Sequence, residues 1–140
     1  MKIYNAENQI LGRLSSVVAK ELLKGERVAV VNAEKAVLAG NVKSKIALYK
    51  HKYERGDPIH GPFFPKQPER ILRRTIRGML PWDRSRGRVA YRRLKVFVGI
   101  PEEFKEKAYE RVANAEADRL KTKFVTLAEV AFHMGAKKKV

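Results

Sequence analysis

Hydrophobic positions near the start of the chain follow a helical period and are then succeeded by a run of consecutive apolar residues. Between residues 8 and 25 the apolar side chains recur three or four positions apart, which places them on one face of a helix. Asn8 is suited to cap the start of this helix, and Gly25 is suited to end it. The apolar positions of the predicted helix are Leu11, Leu14, Val18 and Leu22.

Compact apolar runs predict the strands of a sheet. Residues 27–33 are rich in β-branched side chains, which indicates a strand buried on both faces. Residues 95–100 predict a second buried strand, and residues 2–5 predict a short one. Because strands alternate with predicted helices, we expect an α/β domain with a mostly parallel sheet. The length of the chain fits a single domain over residues 1–140.

The middle of the chain predicts a helix followed by an irregular loop. Asn41 is suited to cap the helix. Residues 54–68 contain four prolines and two glycines, a composition typical of an extended loop. Phe63 and Phe64 lie in this loop, and we expect them to be the most exposed aromatic residues. The apolar stripe of the preceding helix comprises Val42, Ile46, Tyr49 and Tyr53.

The following stretch predicts two short helices with arginine on one side and apolar residues on the other. Pro81 ends the first helix, because the residue before a proline avoids the helical region. Asp83 is suited to cap the second helix, while Gly87 indicates either a break in it or a close approach of backbone. The first helix presents Arg70, Arg73, Arg74 and Arg77 outward and directs Leu72, Ile76, Met79 and Leu80 into a core.

Two further helices are predicted after residue 100. Pro101 and the two acids behind it favour a helix start, with an apolar face continuing to residue 115. Thr126 and Glu129 have the spacing of a capping box, and Gly135 is suited to end that last helix. Residues 136–140 are predicted to be frayed. The apolar positions after Pro101 are Phe104, Ala108, Val112 and Ala115.

Charge changes the interpretation of the central stretch. The chain has a formal net charge of +16, and residues 43–95, here called the basic segment, hold 16 basic and 4 acidic residues. A solvated helix face usually mixes signs to gain ion pairs, and nothing here offsets the arginines. Arginine grips phosphate bidentately and stacks on bases. The pattern therefore predicts a folded surface that binds a polyanion.

Structured RNA suits this surface better than the other polyanions. The chain has no apolar run long enough to cross a membrane and no zipper or finger motif typical of DNA readers. Broad phosphate recognition and aromatic side chains that accept unstacked bases are typical of RNA binding. An architectural DNA binder and an RNA-processing enzyme that uses Asp57 and His60 stay open as alternatives. A signal peptide is not expected, and a cytosolic location fits the sequence.

Catalytic chemistry has little support in the sequence. His51, Glu54, Asp57 and His60 stand at three-residue intervals, but glycine and proline interrupt the helix that would align them as metal ligands. The chain contains no cysteine, which excludes a disulfide framework and a thiolate zinc site. We therefore expect no metal, no cofactor, no small-molecule substrate and no enzymatic activity.

Five stretches of the sequence together resemble one known family. The motifs are "RGMLP" at 77–81, "GR" at 87–88, "LKVFVGIP" at 94–101, "GRLSSVVAKEL" at 12–22 and "VVNAEKAVLAG" at 30–40. Together, and in their order along the chain, they resemble the universal large-subunit ribosomal protein thirteen family (uL-thirteen). The stretch "GPFFPKQPERILRRTIRGMLPW" resembles the archaeal and eukaryotic branch of that family more than the bacterial one.

The resemblance implies a fold, a role and partners. The fold implied is a three-layer α/β/α domain around a four-stranded, mostly parallel sheet, here with an extended basic loop-helix segment. The role implied is a non-enzymatic component of the large ribosomal subunit in the cytoplasm, which binds ribosomal RNA, supports assembly and lies beside neighbouring ribosomal proteins. The expected RNA-binding residues are Lys43, Lys45, Lys50, Lys52, Arg55, Lys66, Arg70, Arg73, Arg74, Arg77, Arg84, Arg86, Arg88, Arg92 and Arg93.

Overall fold

The computed structural model describes residues 1–137 and contains five strands and five α-helices within them. Of the end predicted to be frayed, residues 138–140 lie outside the described residues. Ala136 is instead buried, and its N–H donates to the Ala131 carbonyl at 3.0 Å. In chain order the elements are β1 (Lys2–Asn5), α1 (Leu11–Leu23), β2 (Val28–Val31), β3 (Val37–Ala39), α2 (Val42–Glu54), α3 (Pro68–Arg77), α4 (Ser85–Arg92), β4 (Leu94–Val96), β5 (Phe124–Thr126) and α5 (Leu127–His133).

A three-stranded parallel sheet in the order β1-β2-β4 forms the centre of the fold. Strand β2 lies in the middle, where Val28 stands opposite Lys2 of β1 and Leu94 of β4. All four residues of β2 are buried, which confirms the prediction of a strand covered on both faces. Strands β3 and β5 form a separate antiparallel pair. The mixed α/β class is thus confirmed.

The expected sheet of four parallel strands is confirmed for three of them. Beside β1, the backbone of Glu110 forms a single parallel bridge with Tyr4. The Glu110 N–H donates to the Ile3 carbonyl at 2.7 Å, and the Asn5 N–H donates to the Glu110 carbonyl at 3.0 Å. Beyond β1 the sheet is thus extended by one bridged residue and not by a full fourth strand.

Helices cover one face of the sheet and irregular chain covers the other. Val28 and Val30 of β2 point into the main core, where side chains of α1, α3 and α4 meet them. Ala29 and Val31 point the other way and pack with Phe104. The second outer layer therefore lacks the helix expected after Pro101.

That expected helix is wrong, and backbone pairing explains why. The segment contains three short 3-10 turns, at Glu102–Phe104, Ala113–Ala115 and Ala117–Arg119. Glu110 cannot both pair with β1 and continue a helix.

Further along, the Arg111 guanidinium donates to both carboxylate oxygens of Glu116, at 2.9 and 3.0 Å, and holds the pKa of that carboxyl below its ordinary value.

Two predicted helix starts are also wrong. Helix α1 begins at Leu11, because Asn8 adopts a left-handed backbone conformation with φ of 58°. Helix α4 begins at Ser85, so Arg84 and not Asp83 occupies the capping position. Two predicted caps are confirmed: the Asn41 side chain accepts from the N–H groups of Lys43 and Ser44, and Thr126 accepts from that of Glu129.

The turn between α3 and α4 brings two stretches of backbone into contact. Helix α3 ends at Arg77, four residues before Pro81, which leaves Met79 substantially exposed instead of in the core as predicted. Gly87 lies buried against the backbone of Pro81, and a Cβ atom at Gly87 would clash with the Pro81 carbonyl group. Of the two interpretations of Gly87, the close approach of backbone is confirmed, and α4 is unbroken.

Replacing Gly87 by alanine tests the importance of this contact. We expect Gly87→Ala to lower the free energy of unfolding by roughly 1–3 kcal/mol, because the clash with Pro81 outweighs the gain in helix propensity. Gly12→Ala is the matched control, since Gly12 lies in α1 with no atom near its absent Cβ, and we expect a gain of about 0.5–1 kcal/mol. Urea denaturation measures both changes. Equal stability of Gly87→Ala and the wild-type protein would contradict this role.

Candidate nucleic-acid interface

Helix α3 fixes the orientation of the arginine row. Ile71, Leu72 and Ile76 are fully buried in the main core and hold one side of the helix against α1. At about 100° per residue, the arginines of α3 fall on other sides of the same helix. Arg70 is exposed and the remaining three arginines are partly buried, so apolar packing of α3 sets where all four cations lie.

These arginines line an open groove with a volume of about 360 Å³. One wall comes from the proline-rich loop before α3, and another comes from α4. We call this feature the arginine groove. It is lined by Phe63, Pro65, Arg70, Arg73, Arg74, Arg77 and Tyr91.

Aromatic rings hold two of these arginines in place. The guanidinium carbon of Arg73 lies 4.7 Å from the centre of the Tyr91 ring, and that of Arg77 lies 4.5 Å from the centre of the Trp82 ring. The two rings pack edge to face, 5.2 Å apart. Such cation–π contacts order a guanidinium without using its N–H donors. Arg73 Nε is buried with no hydrogen-bond partner within the described residues.

A second set of rings continues the surface from α3 to α2. Phe64 lies with its ring centre 5.9 Å from the guanidinium carbon of Arg74 and 5.7 Å from the Lys52 ammonium. The same ammonium lies 4.9 Å from the centre of the buried Tyr49 ring. Phe64 is thus partly buried among cations, and only Phe63 fits the prediction that both loop aromatics are well exposed.

The ion pairs found within residues 1–137 lie away from this surface. Among residues 1–137, the ion pairs join Lys2 and Lys24 to Glu21, Lys35 to Glu7, His60 to Asp57, and Arg111 to Glu116. None of these pairs includes any of the fifteen residues predicted to bind RNA. The positive charge of the basic segment is therefore available to an external anion.

The fifteen predicted residues fall into three groups in space. Arg70, Arg73, Arg74 and Arg77 come together in the arginine groove. The α2 and loop group comprises Lys43, Lys45, Lys50, Lys52, Arg55 and Lys66, of which Lys45 and Lys66 are partly buried and the others are exposed. The α4 group comprises the exposed Arg84, Arg86, Arg88 and Arg92, together with the partly buried Arg93.

Two arginines of the α4 group have structural partners. Arg93 Nη1 donates to the Leu22 carbonyl at 3.0 Å and so satisfies a backbone group in the last turn of α1. Arg88 Nε donates to the Trp82 carbonyl at 2.9 Å and joins α4 to the turn before it. Arg86 and Arg93 line a different groove, beside Lys24 and Gly25.

One basic cluster was missed by the sequence interpretation. Arg13 and Lys20 of α1 line a groove of about 470 Å³ together with Arg119. These residues come from parts of the chain whose charges nearly balance, so counting charge along the sequence gives no signal. Only the packing of the 113–119 region against α1 brings them together.

The residues considered as metal ligands do not converge. His60 Nδ1 lies 3.3 Å from Asp57 Oδ2, and both side chains are exposed. Two hydrogen bonds lower the pKa of the Asp57 carboxyl: the one from the Ile59 N–H has the larger effect, and the one from the His60 side chain has the smaller effect. Within residues 1–137 no group of three or more histidine or acidic side chains could hold a metal ion. No helix in that range is long and apolar enough to span a membrane.

Comparison with known proteins gives one consistent result. The family described as ribosomal protein L13 matches residues 1–103. A protein named large ribosomal subunit protein uL13 from Archaeoglobus fulgidus is 54% identical over 135 residues, which is 95% of this chain and 86% of that protein. A protein of the same name from Methanosarcina barkeri is 49% identical, over 98% of this chain and 99% of that protein. Another from Methanopyrus kandleri is 47% identical, over 95% of this chain and 86% of that protein.

Substitution of Arg93 separates a structural arginine from an exposed one. We expect Arg93→Met to lower the free energy of unfolding by about 1 kcal/mol, because the Leu22 carbonyl loses its donor while the aliphatic stem is retained. Arg92→Met is the matched control and should leave stability unchanged, since Arg92 is exposed. Urea denaturation and RNA-binding measurements distinguish the two. Equal stability of Arg93→Met and Arg92→Met would contradict the structural role of Arg93.

Proposed function

Because the chain belongs to the ribosomal protein L13 family, we propose that its arginine groove and the cations around it bind large-subunit ribosomal RNA. The protein is a structural, non-enzymatic component of the large ribosomal subunit. We therefore expect its functional residues to bind RNA non-covalently and not to catalyse a reaction.

The observation that carries the proposal is a row of four arginines, two of them stacked on aromatic rings, that join none of the ion pairs found within residues 1–137. A guanidinium offers five N–H donors in a planar fork, which matches the oxygen atoms of a phosphate group. Stacking on Tyr91 and Trp82 restricts the side chains of Arg73 and Arg77 before any ligand arrives. Binding then loses less side-chain entropy than it would with free arginines.

The breadth of this cationic surface suits recognition of structured RNA. The deep, narrow major groove of an A-form helix excludes side chains, so proteins recognise such helices through phosphates and 2′-hydroxyl groups over a broad area. Cations extend along the protein from Lys52 on α2, through the arginine groove, to Arg88 on α4. This arrangement supports contact with phosphates from more than one RNA strand.

Neighbouring ribosomal proteins are the second class of partner that we propose. Ile100, Phe124 and Phe132 are exposed apolar side chains outside the basic segment. Phe132 borders a mostly apolar pocket of about 140 Å³ that also includes Val98 and Pro68. An exposed ring beside an apolar pocket is a surface feature typical of protein–protein contacts. It supports a division of the surface between RNA and protein partners.

Salt dependence tests the RNA assignment. Because each neutralised phosphate releases counterions, we expect the triple variant Arg70→Gln, Arg74→Gln and Arg77→Gln to reduce the slope of log K against log salt by roughly 2–3 units. Affinity for purified large-subunit ribosomal RNA should fall correspondingly at low salt. Filter binding over a range of salt concentrations measures both, and circular dichroism checks that the fold is retained.

A charge-matched variant controls for the general loss of positive charge. Arg27→Gln, Lys105→Gln and Lys121→Gln change three exposed cations outside the basic segment and lower the net charge from +16 by the same three units. We expect the slope to stay close to that of the wild-type protein. Equal slopes for both triple variants, or preference of the wild-type protein for duplex DNA over the RNA, would contradict the proposal.

A further inference from the structure

Phe63 differs from every other aromatic residue of the basic segment. Each of the other five rings has a protein cation within 6.0 Å of its centre: Tyr49, Tyr53, Phe64, Trp82 and Tyr91. Phe63 is 65% exposed and forms no cation–π or ring–ring contact within the described residues, although it lines the arginine groove. Its ring is therefore open to an external partner.

The backbone before Phe63 presents this ring in a defined position. The N–H groups of Asp57 and Gly61 donate to each other's carbonyls at 3.1 and 2.9 Å, which closes a tight turn. The Asp57 carboxylate also accepts from the Ile59 N–H at 2.8 Å. The Phe63 ring packs beside Gly61, where a Cβ atom would lie 3.1 Å from two ring carbons. The ring is thus supported on one side and exposed on the other.

An exposed ring next to arginines has the chemistry of a base-stacking site. Nucleic-acid bases stack on aromatic side chains, and each stacked base contributes about 1–3 kcal/mol. Only unpaired bases can do so, because the bases of an A-form duplex are stacked on one another. Arg70 and Arg74 line the same groove as Phe63 and can reach the phosphates of a nucleotide stacked there.

We infer that Phe63 stacks an unpaired base of the bound RNA, while Arg70 and Arg74 bind the phosphates that flank it. This inference rests on the proposed RNA-binding function and adds the class of RNA at this groove, which is a loop, bulge or single strand. A protein partner is less favoured, because it would have to bring carboxylates to four arginines that join no ion pair found within residues 1–137. Phe63 is accordingly a binding residue beyond the fifteen cations.

Two substitutions at Phe63 test the inference with defined RNA probes. Phe63→Leu keeps an apolar side chain but removes the ring, and Phe63→Trp keeps a ring for stacking. We expect Phe63→Leu to weaken binding of an oligo(A) strand of about 12 nucleotides by roughly 5- to 150-fold, and Phe63→Trp to bind it at least as tightly as the wild-type protein. Binding of a blunt RNA duplex and of an abasic strand of equal length should be unchanged in both variants. Fluorescence anisotropy with labelled probes measures all these affinities.

Phe132→Leu is the matched control. Phe132 is 61% exposed, similar to Phe63, but lines a different pocket, so its replacement should not change oligo(A) binding. The inference is overturned if Phe63→Leu binds oligo(A) like the wild-type protein, or if it weakens the duplex and the abasic strand equally. Retained RNA binding with reduced incorporation into the large subunit would instead assign Phe63 to a protein contact. Failure of the wild-type protein to bind ribosomal RNA would overturn the proposed function itself.

Discussion

Burial of the apolar side of α3 is the constraint on which the rest of the structure depends. A segment with a net charge of +12, from its 16 basic and 4 acidic residues, repels itself and opposes compaction. Ile71, Leu72 and Ile76 overcome this by packing into the same core as α1 and β2. Each fully buried side chain of this size contributes roughly 1.5–3 kcal/mol. The cations are thus held together by apolar packing beneath them and not by ion pairs among them.

Order within the arginine groove follows from this anchoring. Because α3 is fixed, Tyr91 on α4 and Trp82 in the turn can meet arginines of α3 at defined positions. The close approach of Gly87 to Pro81 sets how near α4 comes to that turn. A scaffold of nearly neutral segments thereby presents a cationic surface at a defined place, which suits the proposed binding of ribosomal RNA.

Local patterns predicted α3 well because its helical period, its core and its arginine face all lie within ten residues. They failed where distant backbone decides the outcome. The apolar spacing after Pro101 is compatible with a helix, but Glu110 pairs with β1 more than a hundred residues away. Arg93 was predicted to bind RNA, yet the partner of its guanidinium, the Leu22 carbonyl, lies 71 positions earlier in the chain. Phe63 and Phe64 are adjacent and look alike in sequence, and only the packed structure distinguishes the open ring from the occupied one.

The central claim is that the basic segment holds the RNA while the remaining chain serves as its scaffold. Ultraviolet cross-linking of native large ribosomal subunits, followed by mass spectrometry of the cross-linked peptides, tests it most directly. The account predicts that cross-links of this protein to ribosomal RNA concentrate in residues 43–95, including peptides from α3 and from the loop that carries Phe63. Cross-links confined to residues outside that segment would contradict it.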